Sequence, residues 1–282
     1  MNIQKVDYRS ADAKIRFAET LRDTGFGVLT NHPVPADLIK DVYEDWQQFF
    51  VSEDKHAYTY DPAVQSGYFP FRSENAKGYS AKDLKEFFHL YGWTKLPGSI
   101  NARTWDLYKR MFTLAGELLT WIEEATPVEI RKQFSTPLPH MIQDCRETLM
   151  RILHYPPLTG ALEEDEAIRA AAHEDINLIT LLPAASAPGL QVKASGTGNQ
   201  WVDVECSPGD LVINVGDMLQ MASKGYYVST SHQVVNPKGE AARRSRFSTP
   251  LFLHARADVP LSPTHTAGQY LDERLREIGL KK

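Results

Sequence analysis

Apolar positions recur at helical spacing in three stretches of the first 125 residues, and after residue 149 they contract into short runs punctuated by turns. Residues 36–50 place Leu38, Ile39, Val42, Tyr43, Trp46, Phe49 and Phe50 on one side of a helix, and residues 12–22 read as a shorter helix before it. Between them, residues 25–30 read as a strand. A third helix over residues 102–124 is apolar on a broad face, through Trp105, Leu107, Tyr108, Met111, Phe112, Leu114, Ala115, Leu118, Leu119, Trp121 and Ile122. That breadth predicts a spine backing a sheet. Residues 126–140, with Pro127, Pro137 and Pro139, read as an ordered connection.

The second half predicts strands at residues 149–155, 178–182, 190–194, 201–206, 211–215, 226–235 and 246–254. Ser195-Gly196-Thr197-Gly198-Asn199 reads as a hairpin loop and Ser207-Pro208-Gly209-Asp210 as a tight turn. Short strands with this punctuation predict a double-sheet jelly roll. A last helix at residues 267–278 puts Tyr270, Leu271, Leu275 and Ile278 on one side, to pack back onto the barrel. The expected fold is mainly β with helical elaboration. It is one domain over residues 1–282, with a helix-rich part at 1–125, a jelly-roll core at 149–254 and a C-terminal helix at 267–278. The N-terminal part is joined to the core in this reading because it lacks a sheet of its own.

A chain of 282 residues with 42% apolar content, aromatics making up 10%, has enough material for a sizeable core. The net charge of −5 and the lack of a basic stripe give no electrostatic case for nucleic acid. Arg243, Arg244 and Arg246 form a short run only, read as a solvated turn ending in one functional arginine. Cys145 and Cys206 stand in unrelated contexts and read as small buried or half-buried side chains. The first residues lack the apolar core of a signal peptide, and no apolar run approaches membrane-spanning length. The expectation is a cytoplasmic protein in a reducing compartment, with no membrane association.

The candidate chemistry begins at Ala172-His173-Glu174-Asp175. On a strand, residues two apart point to one side, so His173 and Asp175 would share a face that His232, in Ser231-His232-Gln233-Val234-Val235-Asn236-Pro237, could complete. Two histidines and one carboxylate form the facial set of non-haem Fe(II) oxygenases, which leaves about three coordination positions open. Downstream, Arg246 and Ser248 are again two apart, and a guanidinium beside a hydroxyl suits a carboxylate. The other histidines, His32, His56, His89, His140, His154, His254 and His265, form no comparable constellation and are assigned structural or surface roles.

On these motifs the chain resembles the isopenicillin N synthase-like branch of the Fe(II)/2-oxoglutarate-dependent oxygenases. The resemblance extends to Thr24-Gly25-Phe26-Gly27-Val28-Leu29-Thr30-Asn31-His32, Asp83-Leu84-Lys85-Glu86-Phe87-Phe88, Pro188-Gly189-Leu190-Gln191-Val192 and Val215-Gly216-Asp217-Met218-Leu219-Gln220. It implies a double-stranded β-helix core and Fe(II) held by His173, Asp175 and His232. It also implies 2-oxoglutarate bound through Arg246, Ser248 and the matching tyrosine Tyr155, with O₂ as oxidant and release of succinate and CO₂. Many relatives have asparagine two residues before this tyrosine; here Leu153 stands there, which removes one polar contact. Relatives place segments matching Ser66-Gly67-Tyr68-Phe69-Pro70-Phe71-Arg72 and Phe87-Phe88-His89 near the iron mouth. Tyr68, Phe71, Arg72 and Phe87 are therefore the candidate substrate residues, with Arg72 as a carboxylate partner.

Hydroxylation of a small or medium organic molecule is the expected outcome, and desaturation or cyclisation could follow from the same chemistry. Two other readings use the same residues. An isopenicillin N synthase-type oxidase would dispense with 2-oxoglutarate and use Arg-x-Ser for a substrate carboxylate; a non-catalytic jelly roll would only bind metal or ligand. A zinc hydrolase fits less well, since no general base stands beside the three ligands and the carboxylate anchor would go unexplained. The sequence names no protein partner.

Overall fold

The computed structural model describes residues 3–74, 81–159, 167–193, 200–277 and 281. The chain opens with β1 (Lys5–Asp7), α1 (Ala13–Thr24), β2 (Phe26–Thr30) and α2 (Ala36–Val51), followed by β3 (Gly67–Phe69), β4 (Glu86–Tyr91) and the long α3 (Arg103–Ala125). Short helices α4 (Val128–Arg131) and α5 (Leu138–Met141) occupy the proline-marked connection. Then come β5 (Leu149–Tyr155), β6 (Ala170–His173), β7 (Ile179–Pro183), β8 (Leu190–Lys193), β9 (Trp201–Asp203) and β10 (Leu211–Val215). The chain closes with α6 (Asp217–Ala222), β11 (His232–Val234), β12 (Arg246–Ser248), β13 (Leu251–Leu253) and α7 (Ala267–Glu277).

The strands form two sheets, the double-stranded β-helix expected from the sequence. The major sheet runs β1-β2-β10-β7-β13-β5-β4-β3, with β12 also paired to β5; the minor sheet runs β6-β11-β8-β9. The N-terminal part is more than a helical elaboration, because β2 extends the sheet beyond β10 and β4 extends it beyond β5. The sequence reading missed β1, β3, β4 and β6. Both faces of the major sheet are covered, so its strands lack the clean alternation of half-exposed ones.

Strand β5 illustrates the division. Met150 and Ile152 join the core against the helices, with Trp46, Leu114, Leu118 and Ile179, while Leu153 and Tyr155 face a second apolar cluster with Phe26, Leu190 and Val234 between the sheets. Helix α3 packs on β7 and β13, which makes it the predicted spine. Each leucine it buries contributes about 1.5–3 kcal/mol. Tyr270 and Leu271 of α7 pack onto the same core; Ile278 lies outside the described residues, as do Ala194 and the loop at residues 195–199.

Three predicted strands are shorter than their β-prone sequences, and residues 201–206 keep only β9 at Trp201–Asp203. Of residues 226–235 only β11 is extended in the sheet. In the stretch before it, the Ser229 N–H donates to the Gln220 side-chain oxygen at 2.8 Å, and Tyr227 is buried with its hydroxyl 2.9 Å from Thr126 Oγ1. Residues 246–254 divide into β12 and β13, interrupted at Thr249 and Pro250, since proline has no N–H to give the ladder. At residues 207–210 the predicted turn forms: the Asp210 N–H donates to the Ser207 carbonyl at 2.9 Å, with Gly209 at φ 89°.

Gly216 is the glycine that the site depends on. A Cβ there would lie 2.1 Å from the Asn177 carbonyl oxygen, so only a hydrogen allows the backbone after β10 to seat against residues 175–178. Gly216→Ala is expected to destabilise the fold by about 1–3 kcal/mol through overpacking, read as a lowered urea midpoint.

His254, at the end of β13, is buried with Nδ1 3.1 Å from the Phe252 carbonyl, and burial pushes its pKa down to about 4. An unfolded histidine titrates near 6.5. Its neutral burial therefore contributes fully above about pH 6.5, and that contribution is lost as pH falls towards about 4, where the unfolded chain takes a proton the folded one does not. Across that window the wild-type protein should lose on the order of 3 kcal/mol more than His254→Leu. Urea denaturation at a series of pH values checks this, and parallel losses in the two proteins would contradict it.

Candidate active site

His173 ends β6 and His232 begins β11, and the two are direct register partners across the minor sheet. Their rings lie 4.4 Å apart between centroids. Each Nδ1–H faces a backbone carbonyl two residues earlier: His173 to Ala171 at 2.8 Å and His232 to Thr230 at 3.2 Å. Those bonds fix each ring with Nε2 as the free nitrogen, the arrangement that metal-bound histidines use.

Asp175 reaches the pair by a different route from the one its spacing suggests. Strand β6 stops at His173, so no strand alternation carries Asp175. It sits instead in residues 174–178, where the chain crosses from the minor sheet to β7 of the major one. Thr180 Oγ1 and Asn214 Nδ2 donate to Asp175 Oδ2 at 2.5 and 2.8 Å. Oδ1 is left facing the imidazoles, 3.9 Å from His173 Nε2 and 3.8 Å from His232 Nε2. Candidate ligand atoms of all three residues lie within 4.8 Å of one another.

Burial, then the neighbouring His232, pushes the His173 pKa down to about 4, so its lone pair is available at neutral pH. Burial alone would raise Asp175, but the two imidazoles and the Asn214 and Thr180 hydrogen bonds hold it below the ordinary carboxylate value. Two imidazoles and one carboxylate form a borderline N/O donor set suited to a divalent transition metal.

The triad lines a cavity between the sheets, about 590 Å³ of space open to solvent. Alternate residues of β5 (Arg151, Leu153 and Tyr155) and of the β12–β13 segment (Arg246, Ser248, Pro250 and Phe252) form one wall. The break at Pro250 therefore leaves the period-two face intact. Arg246 and Tyr155 are register partners, with the guanidinium carbon 5.0 Å from the ring centroid. Arg246 Nε donates to the Ala187 carbonyl at 3.0 Å, while its buried Nη1 has no partner. An unmet buried guanidinium donor beside Ser248 fits the carboxylate of a bound acid.

The candidate substrate residues are placed elsewhere. Tyr68 is buried on the helix side, its hydroxyl donating to Glu86 and its ring packed near Phe49 and Phe50. Phe87 is buried and stacked on Phe69 at 4.4 Å. Phe71 packs with Leu84, Leu158 and Ala167, and Arg72 is an exposed residue at φ 59°. None of the four lines the cavity.

Residues that the sequence reading passed over do line it: Lys85, Arg151, Thr180 and Asn214. Arg151 carried a usable signal, two and four residues before Leu153 and Tyr155 on one strand; Thr180 and Asn214 carried none. Arg169, fully buried near Tyr155, was also missed; its Nε and Nη1 have no partner, and burial and then Arg246 push its pKa down to about 10. His154 takes a structural place between Glu86 Oε1 at 2.7 Å and Ser245 Oγ at 3.0 Å.

Two family profiles match the chain: the 2OG-Fe(II) oxygenase superfamily over residues 146–255, and the non-haem dioxygenase in morphine synthesis N-terminal region over residues 6–108. A Shewanella oneidensis protein assigned to the oxygenases is 52% identical, with TM-score 0.89 and 99% of each chain covered. A Caulobacter crescentus protein assigned to the 2OG-Fe(II) oxygenase family is 32% identical, with TM-score 0.78 and coverage of 98% of this chain and 99% of that one. The 2-oxoglutarate-Fe(II) type oxidoreductase hxnY of Emericella nidulans is 27% identical over 278 residues, 87% of this chain and 76% of that protein. The two matched stretches between them supply every residue lining the cavity, and the chain belongs to the 2OG-Fe(II) oxygenase superfamily.

Proposed function

We propose that this oxygenase hydroxylates a small or medium organic molecule, using His173, Asp175 and His232 to hold Fe(II) and Arg246, Ser248 and Tyr155 to hold 2-oxoglutarate. When bound, Fe(II) and 2-oxoglutarate supply the oxidation: O₂ and 2-oxoglutarate become succinate and CO₂ while a substrate C–H becomes C–OH. The chain's own groups bind and orient. The Nδ1–H contacts of both histidines keep the Nε2 lone pairs inward, and Thr180 and Asn214 keep Asp175 Oδ1 turned to them. Arg246 and Ser248 offer donors to the distal carboxylate, and the Tyr155 hydroxyl offers a third. Leu153 and Leu182 present apolar surface to the cavity.

The observation that carries the 2-oxoglutarate assignment is the partnerless Nη1 of Arg246 on a wall of the cavity that also holds the triad. The net charge of −5 favours a small-molecule substrate over nucleic acid. The free cysteines Cys145 and Cys206 are compatible with a reducing, cytoplasmic setting. We read residues 1–282 as one domain on the pairings of β2 with β10 and β4 with β5.

Anaerobic addition of Fe(II) and then 2-oxoglutarate should give a saturable visible charge-transfer band that His173→Ala abolishes. Arg246→Met should weaken the apparent 2-oxoglutarate affinity by about 10- to 150-fold, the worth of about 1.5–3 kcal/mol for hydrogen bonds to a charged group. Bound iron without a band, together with O₂ consumption independent of 2-oxoglutarate, would overturn the assignment in favour of the oxidase chemistry. Asn214→Leu removes a donor to Asp175 and should lower Fe(II) affinity by about 10- to 100-fold in a chelator competition; unchanged affinity would refute its orienting role.

A further inference from the structure

We propose that the substrate carries a carboxylate, received by the Lys85 ammonium and the Arg151 guanidinium on the cavity wall formed at β4 and β5. This rests on the oxygenase reading and supplies a substrate class for it. Four charged residues line the cavity: Lys85, Arg151 and Arg246 are cationic and Asp175 is anionic. The Fe(II) and 2-oxoglutarate charges cancel each other, and Arg246 is engaged by the distal carboxylate. Lys85 and Arg151 are left facing the space beside Leu153, Leu182 and Phe252.

Their counter-ions stand behind them, outside the cavity lining. Lys85 Nζ lies 2.9 Å from Glu74 and 2.7 Å from Asp83, which leaves one of its three protons uncommitted. Arg151 donates from Nε to His89 Nε2 and from Nη1 to Glu74, each at 3.0 Å, and its Nη2 makes no hydrogen bond among the described residues. The guanidinium is also held in place, 4.5 Å over the Phe87 ring and 5.8 Å from Phe252. Asp83 fixes the other cation relative to the metal by accepting the Ala171 N–H of β6 at 3.1 Å. Both cations of this network line the same cavity as the metal ligands. These donors are positioned in advance, as recognition of an anion requires.

The test uses the full chain loaded anaerobically with Fe(II) and 2-oxoglutarate. Phenylacetate and 3-phenylpropanoate are titrated against 2-phenylethanol and 3-phenylpropanol while the charge-transfer band is followed. The acids should perturb the band and bind at least about 10-fold more tightly than the alcohols, the worth of one charge-assisted hydrogen bond. Arg151→Gln and Lys85→Gln should each reduce that preference while the band itself persists, and Arg151→Lys should retain part of it. Equal binding of acids and alcohols, failure of both acids to perturb an intact band, or a preference that survives both glutamine variants would overturn the inference. The acid–alcohol comparison on the wild-type protein decides the matter even if a variant does not fold. Absence of the band in the wild-type protein would be a different failure: it removes the oxygenase reading and this inference with it.

Discussion

The hold on Asp175 is the constraint from which the site follows. Two histidines paired across the minor sheet bring two nitrogens together, but the next position in register, Val192 of β8, has no ligand atom to give. The third ligand comes from the crossover to β7, and a crossover is free to point anywhere unless it is tied. Here it is tied at both backbone and side chain. The Asp217 and Gly216 N–H groups donate to the Asp175 and Leu178 carbonyls at 2.7 and 3.0 Å, and Thr180 and Asn214 hold one carboxylate oxygen. The close approach requires glycine at 216. The Val-Gly-Asp motif, some forty residues from the His-x-Asp run in sequence, is thus the other half of the same joint.

The major elements and the three ligands were legible in the sequence because each has a local signal. Helices α2 and α3 announce themselves by a wide apolar face, and β5 and β10 by short runs in which only Arg151, His154 and Asn214 interrupt the apolar residues. The short strands β1, β3 and β6 carry too few residues to establish a period, and their place is set by partners distant in the chain. The residues 226–231 looked like a strand because β-propensity rewards side-chain shape; it does not say where the backbone donors will go, and Gln220 takes one of them. The ligands were found, although for Asp175 the strand argument was the wrong one: a turn, and not alternation, brings it inward. The cationic wall of the cavity was not legible. Tyr68 and Phe87 are aromatic residues near the expected mouth, yet both serve the core, and which side of β3 or β4 meets the cavity is decided by register with β5.

A site this charged carries an energetic burden. Lys85, Glu74, Arg151 and Asp83 form a network largely removed from water, and Arg169 and Arg246 keep buried donors unpaired. Desolvation of such groups opposes folding. The compensation lies on the other face of the same strands, where Met150 and Ile152 of β5 and Leu251 and Leu253 of β13 pack against the helices. The sheet therefore divides its labour by residue parity: one set of side chains stabilises the molecule, and the set between them is available for chemistry.

Within the cavity lining, the triad and the cationic wall are held by different parts of the chain. The iron ligands are oriented by their own backbone and by Thr180 and Asn214, all within residues 171–232. The cationic wall is oriented by Glu74, Asp83 and Phe87 from the N-terminal part. The two sets meet at few points, chiefly the Asp83 contact to the β6 backbone. A substitution on the β4 side can accordingly alter what the cavity accepts while leaving the ligand atoms where they are. A substitution at the crossover cannot, because the position of Asp175 is shared by everything the cavity would hold.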